Sequence, residues 1–289
     1  MEHTVHIVAC PLGSQSYAFE TGLLAGQADG AVVIRAGDSV VIATACCSKT
    51  LREGIDFFPL TVDYFEKTYA AGRIPGGFFK REGRPTGKEI LTSRLIDRPL
   101  RPMFPDHFFN EVQIASYVLS YDLVNQVDIM AINAASSALL ISEIPFTIPV
   151  GAVRVGKIDG RLVLNPSVAQ LEESCLDMVV AGTDEAITMV ESGSSEVSEE
   201  ELIEALGFAH QNIKLLCAAQ KELAAKAGKP KRTVPEPEKD LVVEELVRKS
   251  AFPTIQQALR TPEKMARKAK FQEAEEKMAD ALKALGEEK

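Results

Sequence analysis

The chain has 289 residues, 46% hydrophobic and 25% charged, enough for one or two globular cores and too balanced for wholesale disorder. No apolar run reaches the roughly 18 residues of a spanning helix, and no basic-then-apolar leader opens the sequence. A net charge of −9 argues against a general nucleic-acid coat, and five cysteines, at 10, 46, 47, 175 and 217, with no metal or disulfide spacing fit a reducing cytoplasm.

Ala31 to Ile34 and Val40 to Ala45 are β-branched runs flanking Gly37-Asp38, which predicts a hairpin. Phe57 to Tyr64 and Val112 to Leu119 are further strand candidates. Thr86 and Gly87 open a helical pattern from Lys88 to Ile96; Pro99 fits near its end and Pro102 stops it. Ile129 to Ile141, rich in Ala, Ser and Leu, predicts a buried helix. Pro149 to Val155 and Arg161 to Leu164 flank Asp159-Gly160, and Leu176 to Ala181 and Ala186 to Val190 flank Gly182-Thr183-Asp184, two more hairpins. Ser198 with Glu201 has the capping-box form, and the apolar face from Leu202 to Leu223 continues that helix.

These elements predict an α/β (α+β) core over residues 1–225, in two βαβ-like halves at about 1–145 and 146–225. Residues 226–240 carry three prolines and mixed charge, an exposed linker by composition. Residues 241–289 are helical in pattern and too few for a secure core of their own, so they predict a truncated α-helical domain. Thr261-Pro262-Glu263 supplies a helix start with Thr261 as N-cap, and Gly286 a stop.

Charge is unevenly spread. Glu66 to Arg101 holds nine Lys/Arg against four acids, whereas Leu162 to Ile213 holds eleven Asp/Glu and no Lys or Arg. Such a stripe on an acidic chain suits a focused anionic ligand, although a charge run is also what a solvated face looks like. Within the stripe, Phe78, Phe79, Lys80, Arg81 and Arg84 follow a Pro75-Gly76-Gly77 turn. Rings stack on bases and cations track phosphates; core packing of the two rings is the alternative, and composition leaves both open. Arg94, Arg98 and Arg101 fall along one helical face and suit phosphate recognition by guanidinium forks. Salt bridges to Asp97, Glu89 or the acidic half of the chain are the other reading. His3, His6, His107 and His210 lie in no metal-type spacing, so no metal site is expected.

The stretches Asp56-Phe57-Phe58-Pro59-Leu60-Thr61-Val62-Asp63-Tyr64, Tyr69 to Pro85 and Leu91-Thr92-Ser93-Arg94-Leu95-Ile96-Asp97-Arg98-Pro99 resemble the first core domain of bacterial polynucleotide phosphorylases. The likeness runs from about Tyr17 through the helix near 200–225, and the linker and tail match in position that family's helical domain. The resemblance implies a ribonuclease-PH-like core in a homotrimeric ring that degrades single-stranded RNA from the 3′ end. Inorganic phosphate is the co-substrate, nucleoside diphosphates are released, and the reverse reaction polymerises them. It further implies cytoplasmic mRNA degradation, contact with RNA-degradation machinery, and Mg²⁺ held by a second core that this chain lacks. On that likeness Phe78, Phe79, Lys80 and Arg81 line the RNA channel, with Lys80 where the family often has Arg, and Arg94 and Arg98 reach the active-site cleft.

An active core of that family carries an Asp-x5-Asp-x-Lys pattern. Here Asp177 matches the second Asp, while Leu171 and Val179 replace the first Asp and the Lys. That family's Gly/Ser- or Thr-rich phosphate loop is also missing, because Asn125-Gln126-Val127-Asp128 runs straight into the buried helix. The expectation is a polyribonucleotide nucleotidyltransferase core with no catalytic residue of its own, Asp177 being a remnant. The alternative is a non-catalytic RNA-binding, ring-forming subunit of an exosome-like assembly.

Overall fold

A computed structural model describes residues 4–52, 54–76, 83–235 and 240–283. The chain divides into two units, 1–234 and 235–289. In the first, β1 (His6–Leu12), β2 (Gln15–Thr21), β3 (Gly30–Ala36), β4 (Ser39–Cys47), β5 (Leu60–Phe65) and β6 (Val112–Ser120) form one sheet in the order β1-β2-β3-β4-β6-β5. Only β5 and β6 pair in parallel, and the crossover that parallel strands require contains α1 (Gly87–Leu100).

The second sheet, in the order β10-β9-β7-β8, contains β7 (Gly151–Ile158), β8 (Arg161–Leu164), β9 (Leu176–Gly182) and β10 (Ile187–Ser194). All its pairings are antiparallel, so the expectation of a second βαβ-like half does not hold. The two-residue turn Asp159-Gly160 takes φ values of 49° and 73°, the left-handed pair that closes a tight hairpin. Turns this short exclude parallel pairing. The β1–β2 hairpin escaped the sequence reading because Pro11 looks like a breaker. It sits on the edge strand, where a missing N–H costs no ladder bond. The alternation of buried Val8, Cys10 and Leu12 was the available signal.

Between the sheets lies α2 (Val127–Ile141), with fourteen of its fifteen residues buried. Gly30 lets the start of β3 approach it; a Cβ there would stand 2.0 Å from the Ala138 carbonyl. Asn133 donates to the Ala152 carbonyl and accepts from the Ala152 N–H, so the helix is fastened to β7. Ser136 donates to Gln220 and accepts from the Val150 N–H, joining it to α4 (Glu199–Ala227). A short helix, α3 (Val168–Glu173), precedes β9.

Beyond α4, residues that composition marks as exposed linker lie against the core. The Lys231 ammonium donates to the carbonyls of Leu139, Leu140 and Ser142 at 2.8–3.0 Å. A cation there satisfies carbonyls that the end of α2 leaves without helical partners. Arg232 pairs with Glu143. Composition predicts solvent for such a segment and cannot see the helix end waiting for it.

The second unit contains α5 (Leu241–Leu259) and α6 (Lys264–Lys283), which pack through Ala251, Ala258 and Ala274. Asp240 caps α5. The expected Thr261 N-cap is replaced: the Glu263 carboxylate accepts from the N–H groups of Met265 and Ala266, while Thr261 donates back to Gln257. A carboxylate nearer the helix start reaches those donors and complements the dipole. Gly286 lies outside the described residues. No helix among the described residues is long and apolar enough to cross a membrane.

A capping box fixes the start of α1. Thr86 accepts from the Glu89 N–H, and the Glu89 carboxylate accepts from Thr86 N–H and, through its other oxygen, from Glu66 N–H. Burial opposes ionisation of Glu89, but the Thr86 and Glu66 donors outweigh it and hold its pKa below the ordinary glutamate range. A depressed carboxylate stabilises the fold above its unfolded pKa and loses that effect as pH falls through the folded value. Glu89→Gln should therefore cost about 1 kcal/mol at neutral pH. Urea melts at successively lower pH should show the gap to wild type closing in acid; a pH-independent gap would contradict the assignment.

Candidate phosphate- and RNA-binding cleft

Helix α1 runs beside the edge of the second sheet, and a cavity of about 220 Å³ opens between them, lined by Leu95, Arg154, Asp177, Val179 and Glu191 together with Ser192 and Gly193. Arg154 dominates it. Its guanidinium donates to the Asp128 carboxylate at 2.8 Å and to Gln126 Oε1 at 2.9 Å, and its Nε lies 3.3 Å from Asp177. Only 13% of the Arg154 side chain is exposed. One nearly buried cation thus ties the start of α2 to β7 and β9. Asp177 remains half exposed on its outer side. Val179, two residues on, is buried and offers no polar group.

The arginines of α1 divide into distinct situations. Arg101 makes four hydrogen bonds: two to the Asp97 carboxylate and one each to the carbonyls of Phe58 and Leu60. Its guanidinium also covers the Phe58 ring at 5.8 Å. It braces α1 against the segment entering β5, the salt-bridge arrangement that the sequence left open. Arg98 reaches the rim of the cavity and pairs with Glu191 at 2.8 Å. Arg94, one turn earlier, is exposed and has no hydrogen bond or ion pair among the described residues, and Arg84 is likewise exposed. Phe78, Phe79, Lys80 and Arg81 lie outside the described residues. Lys88 pairs with Glu66 at 2.8 Å and passes over the Tyr121 ring.

Sequence reasoning missed Arg154, Gln126, Asp128 and Glu191. A signal for Arg154 exists: it is the one Lys or Arg between Arg101 and Lys157, set in an apolar strand, and a charge in such a place needs a partner. The partners themselves are set by tertiary structure. Among the described residues no group of three or more metal-ligating side chains occurs.

The unequal burial of the cluster gives a test. Arg154→Leu strands Asp128 without its counter-ion and should cost about 3 kcal/mol, since removing one partner of a largely buried pair leaves an uncompensated charge. Asp177→Asn, on a half-exposed group, should cost under about 1 kcal/mol. Urea unfolding that ranks the two variants in the opposite order would overturn this account of the cleft.

Residues 14–145 match the 3′ exoribonuclease family, domain 1, and residues 149–212 match its domain 2. A polyribonucleotide nucleotidyltransferase of Heliobacterium modesticaldum is 48% identical over 278 residues, covering 96% of this chain and 39% of that protein. One from Acidobacterium capsulatum is 57% identical over 228 residues, covering 79% and 28%. The chain therefore spans a little over a third or less of these relatives. An Archaeoglobus fulgidus exosome structure with RNA bound to its active site superposes with a TM-score of 0.55 at 14% identity, over 78% of this chain and 88% of that one, which shows the shared fold. The two domain matches together cover more than half of the sequence, and the chain belongs to the 3′ exoribonuclease family.

Proposed function

We propose that this chain is the RNA-guiding first core of a phosphate-dependent 3′-to-5′ exoribonuclease, a polyribonucleotide nucleotidyltransferase whose bond-breaking groups lie outside these residues. The observation that carries the reading is exposed Arg98 at the mouth, with exposed Arg94 one turn earlier on α1, beside a cleft floor whose cation, Arg154, is already held by Asp128 and Asp177. The rim can take a phosphate; the floor has nothing left with which to activate one.

The relatives' name supports phosphorolysis, in which inorganic phosphate attacks the terminal phosphodiester and a nucleoside diphosphate leaves. Mg²⁺ would stabilise charge on the transferring phosphoryl group. The described residues of this cleft do not fit that ion. It needs oxygen donors in near-octahedral array, whereas Arg154 already stands between Asp128 and Asp177, and Val179 offers no donor.

Phe78, Phe79, Lys80, Arg81 and Arg84 would grip single-stranded RNA by stacking and phosphate contact, with Arg94 and Arg98 holding backbone nearer the cleft. Arg101 would act on phosphate only indirectly, by keeping α1 in place. A homotrimeric ring, contact with RNA-degradation machinery and a cytoplasmic setting complete the proposal.

Incubated with poly(A), inorganic phosphate and Mg²⁺, the 289-residue chain should release no ADP yet retain labelled RNA on a filter at low salt. Affinity should fall linearly with the logarithm of salt concentration. Phosphate-dependent ADP release would show that this core is itself catalytic; absence of RNA retention would overturn the guiding role. Replacing Phe78 and Phe79 with Ala should weaken binding by about 1–3 kcal/mol per lost stacking contact. Unchanged affinity in that variant would remove the two rings from the RNA path.

A further inference from the structure

The Arg98–Glu191 pair differs from the other ion pairs of the cleft. Arg154 is held by Asp128 and Gln126 inside the protein and has the burial to match. Arg98 and Glu191 meet at 2.8 Å with 51% and 61% of their side chains exposed, so water and salt reach both groups and the pair contributes little to folding. Glu191 also lines the cavity and stands on β10, whereas Arg98 stands on α1. The link therefore closes the mouth between two elements that are held in place by other means: α1 by its capping box and the Arg101 brace, β10 by its ladder with β9.

We propose that Glu191 is a positioning residue that acts as an internal competitor for Arg98, occupying the guanidinium until a phosphate oxyanion displaces it. The inference rests on the RNA reading above and adds a regulatory element to the same site. A carboxylate and a phosphate oxygen make the same kind of charge-assisted bond to a guanidinium. An exposed pair can exchange one for the other without leaving a buried charge unpaired. Arg94, with no hydrogen bond or ion pair among the described residues, would make the first contact, and release of Arg98 from Glu191 would add the second. Two states of one arginine, biased by whichever anion is present, set the affinity of the rim.

The test is a double-mutant cycle on the 289-residue chain with a short labelled oligoadenylate and, separately, with inorganic phosphate alone. Glu191→Gln should tighten oligoadenylate binding by about three- to tenfold at low salt, a gain that salt erodes, and should leave the urea midpoint nearly unchanged. In an Arg98→Gln background the same substitution should change nothing. An equal gain in that background would mean a general field effect and would overturn the competition. Tightening confined to oligoadenylate identifies the displacing group as RNA phosphodiester; tightening confined to inorganic phosphate identifies it as the co-substrate. Wild-type chain that binds oligoadenylate as tightly as Glu191→Gln, with no change for phosphate, overturns the competition alone. Failure of wild type and variant to bind either probe overturns the RNA reading together with it.

Discussion

Because α2 is removed from solvent along almost its whole length, every polar group it carries must find a partner inside the protein. Asn133 and Ser136 find theirs on the backbone of β7 and the segment before it. The carbonyls at its C-terminal end receive Lys231, from a segment almost a hundred residues further on. At its N-terminal end Asp128 receives Arg154 from β7. Each requirement draws in a different part of the chain. The packing of one helix thereby fixes where both sheets, α4 and the segment after α4 must lie.

The cleft inherits its character from the same constraint. Asp128 belongs to the first turn of α2, where a carboxylate complements the helix dipole, but a carboxylate this little exposed needs a cation. Arg154 supplies it, and in doing so reaches Asp177. A floor whose cation is already shared between two carboxylates has no guanidinium left over for a phosphate. Solvent reaches Arg94 and Arg98 of α1.

Surface ion pairs and interior ones consequently do different work around the same cleft. The Arg154 cluster is expensive to break because its members cannot return to water without opening the core. Arg101 spends its donors on Asp97 and two carbonyls and is part of the framework. Arg98 is bound to Glu191 by a contact that water can replace, which leaves it free to change partners. Arg154, Arg101 and Arg98 thus hold three different positions along the range from fixed to exchangeable.

Much of this was legible in the sequence. The capping box at Ser198, the helix start after Thr86, the hairpin turn at Asp159-Gly160 and the apolar stretch of α2 are local signals, set by backbone preference and hydrophobic pattern within a few residues. The basic stripe was equally visible, because it is a matter of residue identity. What the sequence could not supply were pairings across long separations: Arg154 with Asp128, Arg98 with Glu191, Lys231 with the end of α2. Those partners are neighbours only after the sheets have closed around the helix, and which charge neutralises which depends on burial, a property of the folded chain. Local chemistry determined the elements and the kinds of groups available. Tertiary structure alone decided which arginine is locked in the interior and which stands in a solvent-exposed pair.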